Sequence, residues 1–318
     1  MFQLILSLVA SIVLTSSGLP VVARDFSVEP ILLVQSGGDE IGSAGHLPLA
    51  ANKEINPDKV NENSLGIETS ARSGVAVDGK TGKVLWEKNS SQIRSIASLT
   101  KLMTALVFLD HNPGWDSKIK ITTEDQHEGG VAFFAIGEEV TVRDLFYSAL
   151  SRSINSAAAA LARSTGLNEK DFVFAMNQKA DELGMVNSHF IEPTGLHTGN
   201  VATAIDVVIL LREALSKTAI ANATTLTAYT TEILNKDLER TADNTNLLLK
   251  SFLNKPPYKI LGGKTGYLVE AGYCLAIGVE KSDHQIYSVV LGSDSIGSRF
   301  TDTKAIVDWV FSNYSWQK

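Results

Sequence analysis

The chain is poor in the residues that would announce disulfide or metal chemistry. It has one cysteine, Cys274, in 318 residues. No intramolecular disulfide can form, and the apolar run around Cys274 marks it as a small core residue rather than a nucleophile. Its six histidines lie far apart, with no H-x-x-x-H pair, so no metal site is expected and no cofactor is implied. Positive charge is also scarce. Lys and Arg number 28 against 35 Asp and Glu, a formal net charge of -7, which argues against nucleic acid as a partner. No run of like charges suggests an anionic membrane surface. The longest N-terminal apolar run falls short of the ~20 residues a membrane span needs.

What is present is ordinary globular composition, 44% hydrophobic and 20% charged, enough to bury a substantial core. Phe2 to Leu14 are apolar apart from Gln3, Ser7 and Ser11, and Ser16, Ser17, Gly18 and Pro20 lead into Val21-Val22-Ala23. That pattern reads as a secretory signal over 1–23, cleaved near Ala23, although no Lys or Arg precedes the apolar core. Export to the periplasm or cell wall follows, with no stable membrane anchor after cleavage; a retained anchor is the alternative. Residues 24–65 are rich in Gly, Ser, Asn and Asp and read as a poorly ordered polar linker. The packed domain is expected over 66–318.

Gly74 to Val77 and Lys83 to Lys88 alternate around Asp78-Gly79-Lys80-Thr81-Gly82, a hairpin pattern. A long, mainly helical middle follows. In it Thr141 to Asp144 form a capping box ahead of Leu145, Ser156 to Ala162 are nearly all alanine, and Thr203 to Asp206 open a helix to about Leu215. Residues 219–256 read as irregular. Ile260 to Thr265, Tyr273 to Glu280 and Gln285 to Leu291 form a meander, and a helix from about Asp302 to Phe311 closes the chain. Strands at both ends with helices between predict an α+β fold, one antiparallel sheet uniting the two termini.

Ser98 and Lys101 stand at i and i+3, on one face of a predicted helix. The residues beyond are apolar as far as Asp110, so this helix belongs inside the domain. A buried hydroxyl beside a buried amine is expensive. To be half neutral at pH 7, Lys101 must shift down by about 3 units, roughly 4–5 kcal/mol, a cost found mainly at functional sites. Burial and a second nearby cation would supply the shift. Ser315 and Lys318 repeat the spacing on a polar tail where no chemistry is read. Two further elements support the first pair. Ser153-Ile154-Asn155 falls where one predicted helix meets the next, and Lys264-Thr265-Gly266 follows Gly262-Gly263 on a late strand. Lys80-Thr81-Gly82 precedes Ser98 in a hairpin turn and is set aside. Gly263-Lys264-Thr265 lacks the earlier glycine of a P-loop, since position 258 is Tyr.

The order S-x-x-K, S-x-N, K-T-G resembles the serine D-Ala-D-Ala peptidases of the low-molecular-weight penicillin-binding protein family. The likeness runs over about residues 70 to 314. It takes in Thr81 to Leu85, Ile96 to Thr104, Glu192-Pro193-Thr194-Gly195-Leu196, Thr203-Ala204, Asp206, Gly263 to Tyr267, Glu270 to Cys274 and Arg299-Phe300. Where the family often reads Ser-Gly-Asn-Asp, this chain has Ser153-Ile154-Asn155-Ser156. The expectation is that the chain carries nothing beyond its catalytic domain, which resembles the shorter endopeptidase-type members. The resemblance implies a DD-peptidase/β-lactamase-like fold with a helical subdomain, peptidoglycan stem peptides as substrate and β-lactams as covalent inhibitors. It implies Ser98 as nucleophile, Lys101 as base and Ser153 as proton relay. Asn155, Lys264, Thr265, Gly266, Tyr267 and Arg299 would bind substrate, and the Ser98 and Tyr267 N–H groups would form an oxyanion hole. Glu192 reads as structural. Two alternatives stand beside this reading. A class A-like β-lactamase needs an E-x-x-L-N base, and Leu-Asn at 167-168, 234-235 and 253-254 follows Ser164, Thr231 and Lys250 instead. A non-catalytic wall-binding protein on the same fold would have no use for a costly buried lysine.

Overall fold

Residues 56–64, 66–126 and 132–316 are described by the computed structural model; the expected signal segment and most of the linker lie outside the described residues. In chain order the first strands are β1 (Asp58–Lys59), β2 (Ser73–Asp78), β3 (Val84–Lys88) and β4 (Arg94–Ser95), followed by helix α1 (Thr100–Asp110). The middle holds β5 (Lys118–Lys120), β6 (Glu139–Thr141), α2 (Val142–Tyr147), α3 (Asn155–Ser164), α4 (Glu169–Leu183), β7 (Val201–Ala202), α5 (Ala204–Ser216), α6 (Thr218–Thr225), β8 (Ala228–Ile233) and β9 (Leu238–Asp243). Then come β10 (Tyr258–Leu268), β11 (Gly272–Lys281), β12 (His284–Ser293), α7 (Ser298–Asn313) and β13 (Tyr314–Ser315).

The main sheet has the order β10-β11-β12-β2-β3, antiparallel throughout. The N-terminal hairpin joins the C-terminal meander through β12 and β2, registered from Ile286↔Asp78 to Leu291↔Ser73. Every residue of β2 is buried, because both faces of the sheet are covered. On one face Leu275, Ile277, Val279 and Val290 pack with Phe300, Ile306, Val307 and Val310 of α7. On the other, Val75, Val77, Ala276, Val289 and Leu291 join the larger core built with α1 and α5. The expected α+β architecture, with a sheet shared by both chain ends, is what the chain adopts. The Thr141–Asp144 capping box is formed on both sides.

Two stretches differ from expectation. Residues 219–256 were expected to be irregular, yet they hold most of α6 and the hairpin β8–β9. That hairpin is half exposed and partly held by a threonine pair, Thr230 Oγ1 with Thr241 Oγ1 at 2.8 Å. Such a ribbon has no apolar alternation to read. The packed body also reaches back beyond Gly66. Asp58–Lys59 pair with Tyr314–Ser315, Lys83 Nζ donates to Pro57 O at 2.7 Å, and Trp309 Nε1 donates to Ser64 Oγ at 2.8 Å. A two-residue strand whose partner is at the far end of the chain leaves no periodic signal.

Candidate active site

Ser98 sits in a 3₁₀ turn, Ala97–Leu99, that runs directly into α1. Ala97 has φ 48°, a left-handed conformation that costs a non-glycine residue about 1–2 kcal/mol. Neighbours hold it there from two sides. A Cβ on Gly195 (φ +80°) would stand 2.3 Å from Ala97 O and 2.9 Å from Ser98 Cα. A Cβ on Gly266 would stand 2.9 Å from Ile96 O and 3.2 Å from Ser98 N. Only glycine lets the 192–197 loop and strand β10 close on the serine turn together.

Helix α1 is buried from Thr100 through Phe108, and Lys101 lies within it at 1% exposure. Its Nζ is 3.0 Å from Ser98 Oγ and 2.7 Å from Asn155 Oδ1, and it also meets Thr194 O. A neutral amine has two N–H groups and one lone pair. The amide and carbonyl oxygens can only accept, whereas the Ser98 hydroxyl can donate. The three partners accommodate either the ammonium, donating to all three, or the neutral amine with its lone pair on the serine proton. Burial lowers the Lys101 pKa to about 7, against the pull of the Glu192 carboxylate, which raises it. The expected cause included the charge of Lys264. Desolvation is instead the leading one, and the repulsion between the two lysines falls on Lys264.

The S-x-N element follows a π-turn, Ser148–Arg152. Ser153 takes a left-handed conformation (φ 67°, ψ 31°) at its end, and α3 begins at Asn155. This kink delivers the Asn155 amide to Lys101. Ser153 stands half-buried at the same junction, but among the described residues its Oγ makes no hydrogen bond to Ser98, Lys101 or Lys264. Ser98, Lys101 and Asn155 are joined by hydrogen bonds; Ser153 is not.

Strand β10 is an edge strand and carries the third motif. Lys264 is 1% exposed and donates to Thr265 O at 3.0 Å. Burial first, then the charges of Lys101 and Arg299, push its pKa well below the usual lysine range. Thr265 Oγ1 donates to Thr245 Oγ1 at 2.6 Å, and Thr245 N donates to Ser151 O at 3.0 Å, tying β10 to the S-x-N junction. Tyr267 is exposed and stacks on Tyr273 with centroids 4.3 Å apart. Arg299, at the start of α7, is 6% exposed and donates from Nη1 to Gly266 O at 3.1 Å. Its Nε is buried without a partner. Among the described residues no carboxylate forms a salt bridge with Lys101, Lys264 or Arg299, so three buried basic side chains share one region with no directly paired anion. An incoming carboxylate would be attracted to it.

Three contributors carry no chemical motif and escaped the sequence reading as site residues: Thr245, Asn200 and the Glu192 carboxylate. Glu192 accepts from Thr194 N (2.6 Å), Thr194 Oγ1, Gly195 N (2.7 Å), His197 N (3.3 Å) and Asn200 Nδ2 (2.7 Å). It thereby shapes the loop that touches Lys101 and Ala97. A cavity of about 710 Å³ lies beyond this loop, lined by residues of α3 and α4 with Glu192 and Thr194 on its wall, and Ser98, Lys101 and Lys264 take no part in it.

Residues 58–295 match the family model described as D-alanyl-D-alanine carboxypeptidase, peptidase S11. The chain is 34% identical over 251 residues to D-alanyl-D-alanine carboxypeptidase DacF of Bacillus subtilis, covering 77% of this chain and 63% of that one. It is 34% identical over 245 residues to a D-alanyl-D-alanine endopeptidase of Pseudomonas aeruginosa, covering 76% and 78%. Among solved structures, the Streptomyces K15 DD-transpeptidase aligns with TM-score 0.71 at 30% identity over 78% of this chain and 100% of that one. The penicillin-binding protein D2 of Listeria monocytogenes in its cefotaxime-bound form aligns with TM-score 0.68 at 28% identity, covering 78% and 100%.

Proposed function

The chain belongs to the D-alanyl-D-alanine carboxypeptidase family of serine peptidases, and on that premise we propose that it cleaves D-Ala-X bonds of peptidoglycan stem peptides through an acyl-enzyme on Ser98. One observation carries the assignment of roles: Lys101 Nζ lies 3.0 Å from Ser98 Oγ in a buried setting that fits the neutral amine. Lys101 takes the Ser98 proton as Oγ attacks the carbonyl carbon. The Ser98 and Tyr267 N–H groups receive the developing oxyanion, each typically worth a few kcal/mol. Ser153 passes a proton to the leaving amine, and Asn155 holds the substrate amide. Lys264, Thr265 and Arg299 attract and orient the substrate carboxylate, with a planar guanidinium suited to bind it bidentately. Water then hydrolyses the ester and frees Ser98. A cross-linked peptide also presents a carboxylate on its leaving side, so both carboxypeptidase and endopeptidase cleavage fit this site.

Residues 1–23 act as an export signal, the stretch from 24 to about Pro57 links it to the catalytic body, and the enzyme works in the periplasm or cell wall with β-lactams as covalent inhibitors. The test is intact-protein mass after exposure to penicillin. The wild type should gain one β-lactam, and Ser98→Ala should gain none; labelling of Ser98→Ala at the wild-type rate defeats the proposal. The adduct should persist, because the E-x-x-L-N base is missing and the Glu192 carboxylate is already engaged by five donors. Rapid penicillin turnover would favour the β-lactamase reading.

A further inference from the structure

Glu192 lies outside the three motifs yet stands between two parts of the site. Its carboxylate gathers the backbone N–H groups of Thr194, Gly195 and His197 and the Asn200 side chain. The same loop points the Thr194 carbonyl at Lys101 Nζ and the Pro193 carbonyl at Thr104 Oγ1, 2.6 Å away. It also places Gly195 against Ala97. Asn200 closes the circuit. Its Nδ2 reaches Thr100 Oγ1 at 3.2 Å, next to Lys101 in sequence, while its Oδ1 accepts from Ile191 N at 2.8 Å. One buried amide and one carboxylate thus fix the loop to the first turn of α1.

We propose that Glu192 is a positioning residue for acylation: its carboxylate holds the Thr194 carbonyl on Lys101 and sets the pH at which Lys101 becomes a base. The inference rests on the peptidase reading above. Among the described residues the charged groups around Lys101 are few. Lys264 of β10, with Arg299 of α7 beyond it, brings positive charge, and Asn155 of α3 is uncharged. Glu192 supplies the opposing negative charge and favours the protonated amine. This gives Glu192 two opposed effects. Through Thr194 it orients the lone pair toward Ser98, and through its charge it keeps the amine from losing its proton too early to be a strong base.

The experiment is the pH dependence of penicillin acylation in the wild type, Glu192→Gln and Glu192→Asp, with thermal melts beside each. Glutamine keeps an acceptor oxygen but removes the charge, so Lys101 loses its proton more readily. The midpoint of the rising limb should move down by about one pH unit, with a lower plateau rate. Aspartate keeps the charge with a shorter reach. Its midpoint should stay within about a few tenths of the wild type, with slower acylation. A Glu192→Gln midpoint that stays in place or rises, whatever the melting temperature, overturns the inference. So does a Glu192→Asp midpoint lowered as far as the glutamine one, which remains measurable if Glu192→Gln does not fold. Failure of the wild type to label at all would defeat the peptidase reading instead, a different result.

Discussion

Gly195→Ala is the sharpest probe of how the nucleophile is held. Alanine at this position must adopt φ near +80°, at a cost of about 1–2 kcal/mol. Its Cβ would also stand 2.3 Å from Ala97 O, 2.6 Å from Ala97 C and 2.9 Å from Ser98 Cα. All three are backbone atoms that cannot rotate away, so the loop and the serine turn must separate. Forced overlap of this kind adds about 1–3 kcal/mol. The sum, about 3 kcal/mol, corresponds to a melting temperature lowered by roughly 6–12 °C in a domain of this size. The loss of function should exceed the loss of stability, because a displacement near 1 Å at the reacting atom costs about a hundredfold in rate. Gly166→Ala is the control. It has φ +81° with nothing within 4 Å of the added atom, so it should lose only the conformational part, about 1–2 kcal/mol, and acylate normally. The assays are a thermal melt and the rate of penicillin acylation for both variants. If Gly195→Ala matches Gly166→Ala in both, the close approach of the loop to the serine turn is not what holds Ser98.

Three other outcomes follow from the same geometry. Acylation should rise with pH through an ionisation near 7, because the reactive Lys101 is neutral and burial lowers its pKa from 10.5 to about 7; the same shift makes its stability penalty full below pH 7 and relieved as pH climbs towards 10.5. A limb near the ordinary lysine value would show that Lys101 is not the base. Lys264→Met keeps volume and removes a buried cation repelled by Lys101 and Arg299, so the melting temperature should rise by a few degrees, about 1–2 kcal/mol, while acylation falls; a lower melting temperature would refute this. Arg299→Ala should lose activity on a D-Ala-D-Ala peptide acid and little on its C-terminal amide; equal activity of mutant and wild type on the acid would remove Arg299 from substrate recognition.

Much of this site was legible because its chemistry is local in sequence. Ser98 and Lys101 are one helical turn apart, and an apolar helix around a lysine announces burial without any structure. The first hairpin was legible through alternation and the closing helix through apolar periodicity, while the Lys264 strand was read as one of three strands near the end of the chain. Side-chain geometry across the fold was not. The role of Thr194 depends on a backbone carbonyl, and any residue type has one. Gly195 and Gly266 matter through a missing Cβ whose would-be neighbours lie far away in the chain. Glu192 was read as structural, and its hydrogen bonds are those of a loop organiser, but its electrostatic influence on Lys101 depends on proximity that no spacing encodes. The hairpin β8–β9 went unseen because its polar, half-exposed strands carry no apolar rhythm.

The central claim is that Ser98, activated by neutral Lys101, cleaves D-Ala-X bonds in wall peptides. The most direct measurement incubates the purified chain and its Ser98→Ala variant with uncross-linked and cross-linked muropeptides, followed by product masses. The account predicts that the wild type releases terminal D-Ala, opens D-Ala cross-links, or does both, and that Ser98→Ala leaves every muropeptide intact. Intact muropeptides after wild-type treatment, or the same products from Ser98→Ala, would contradict it.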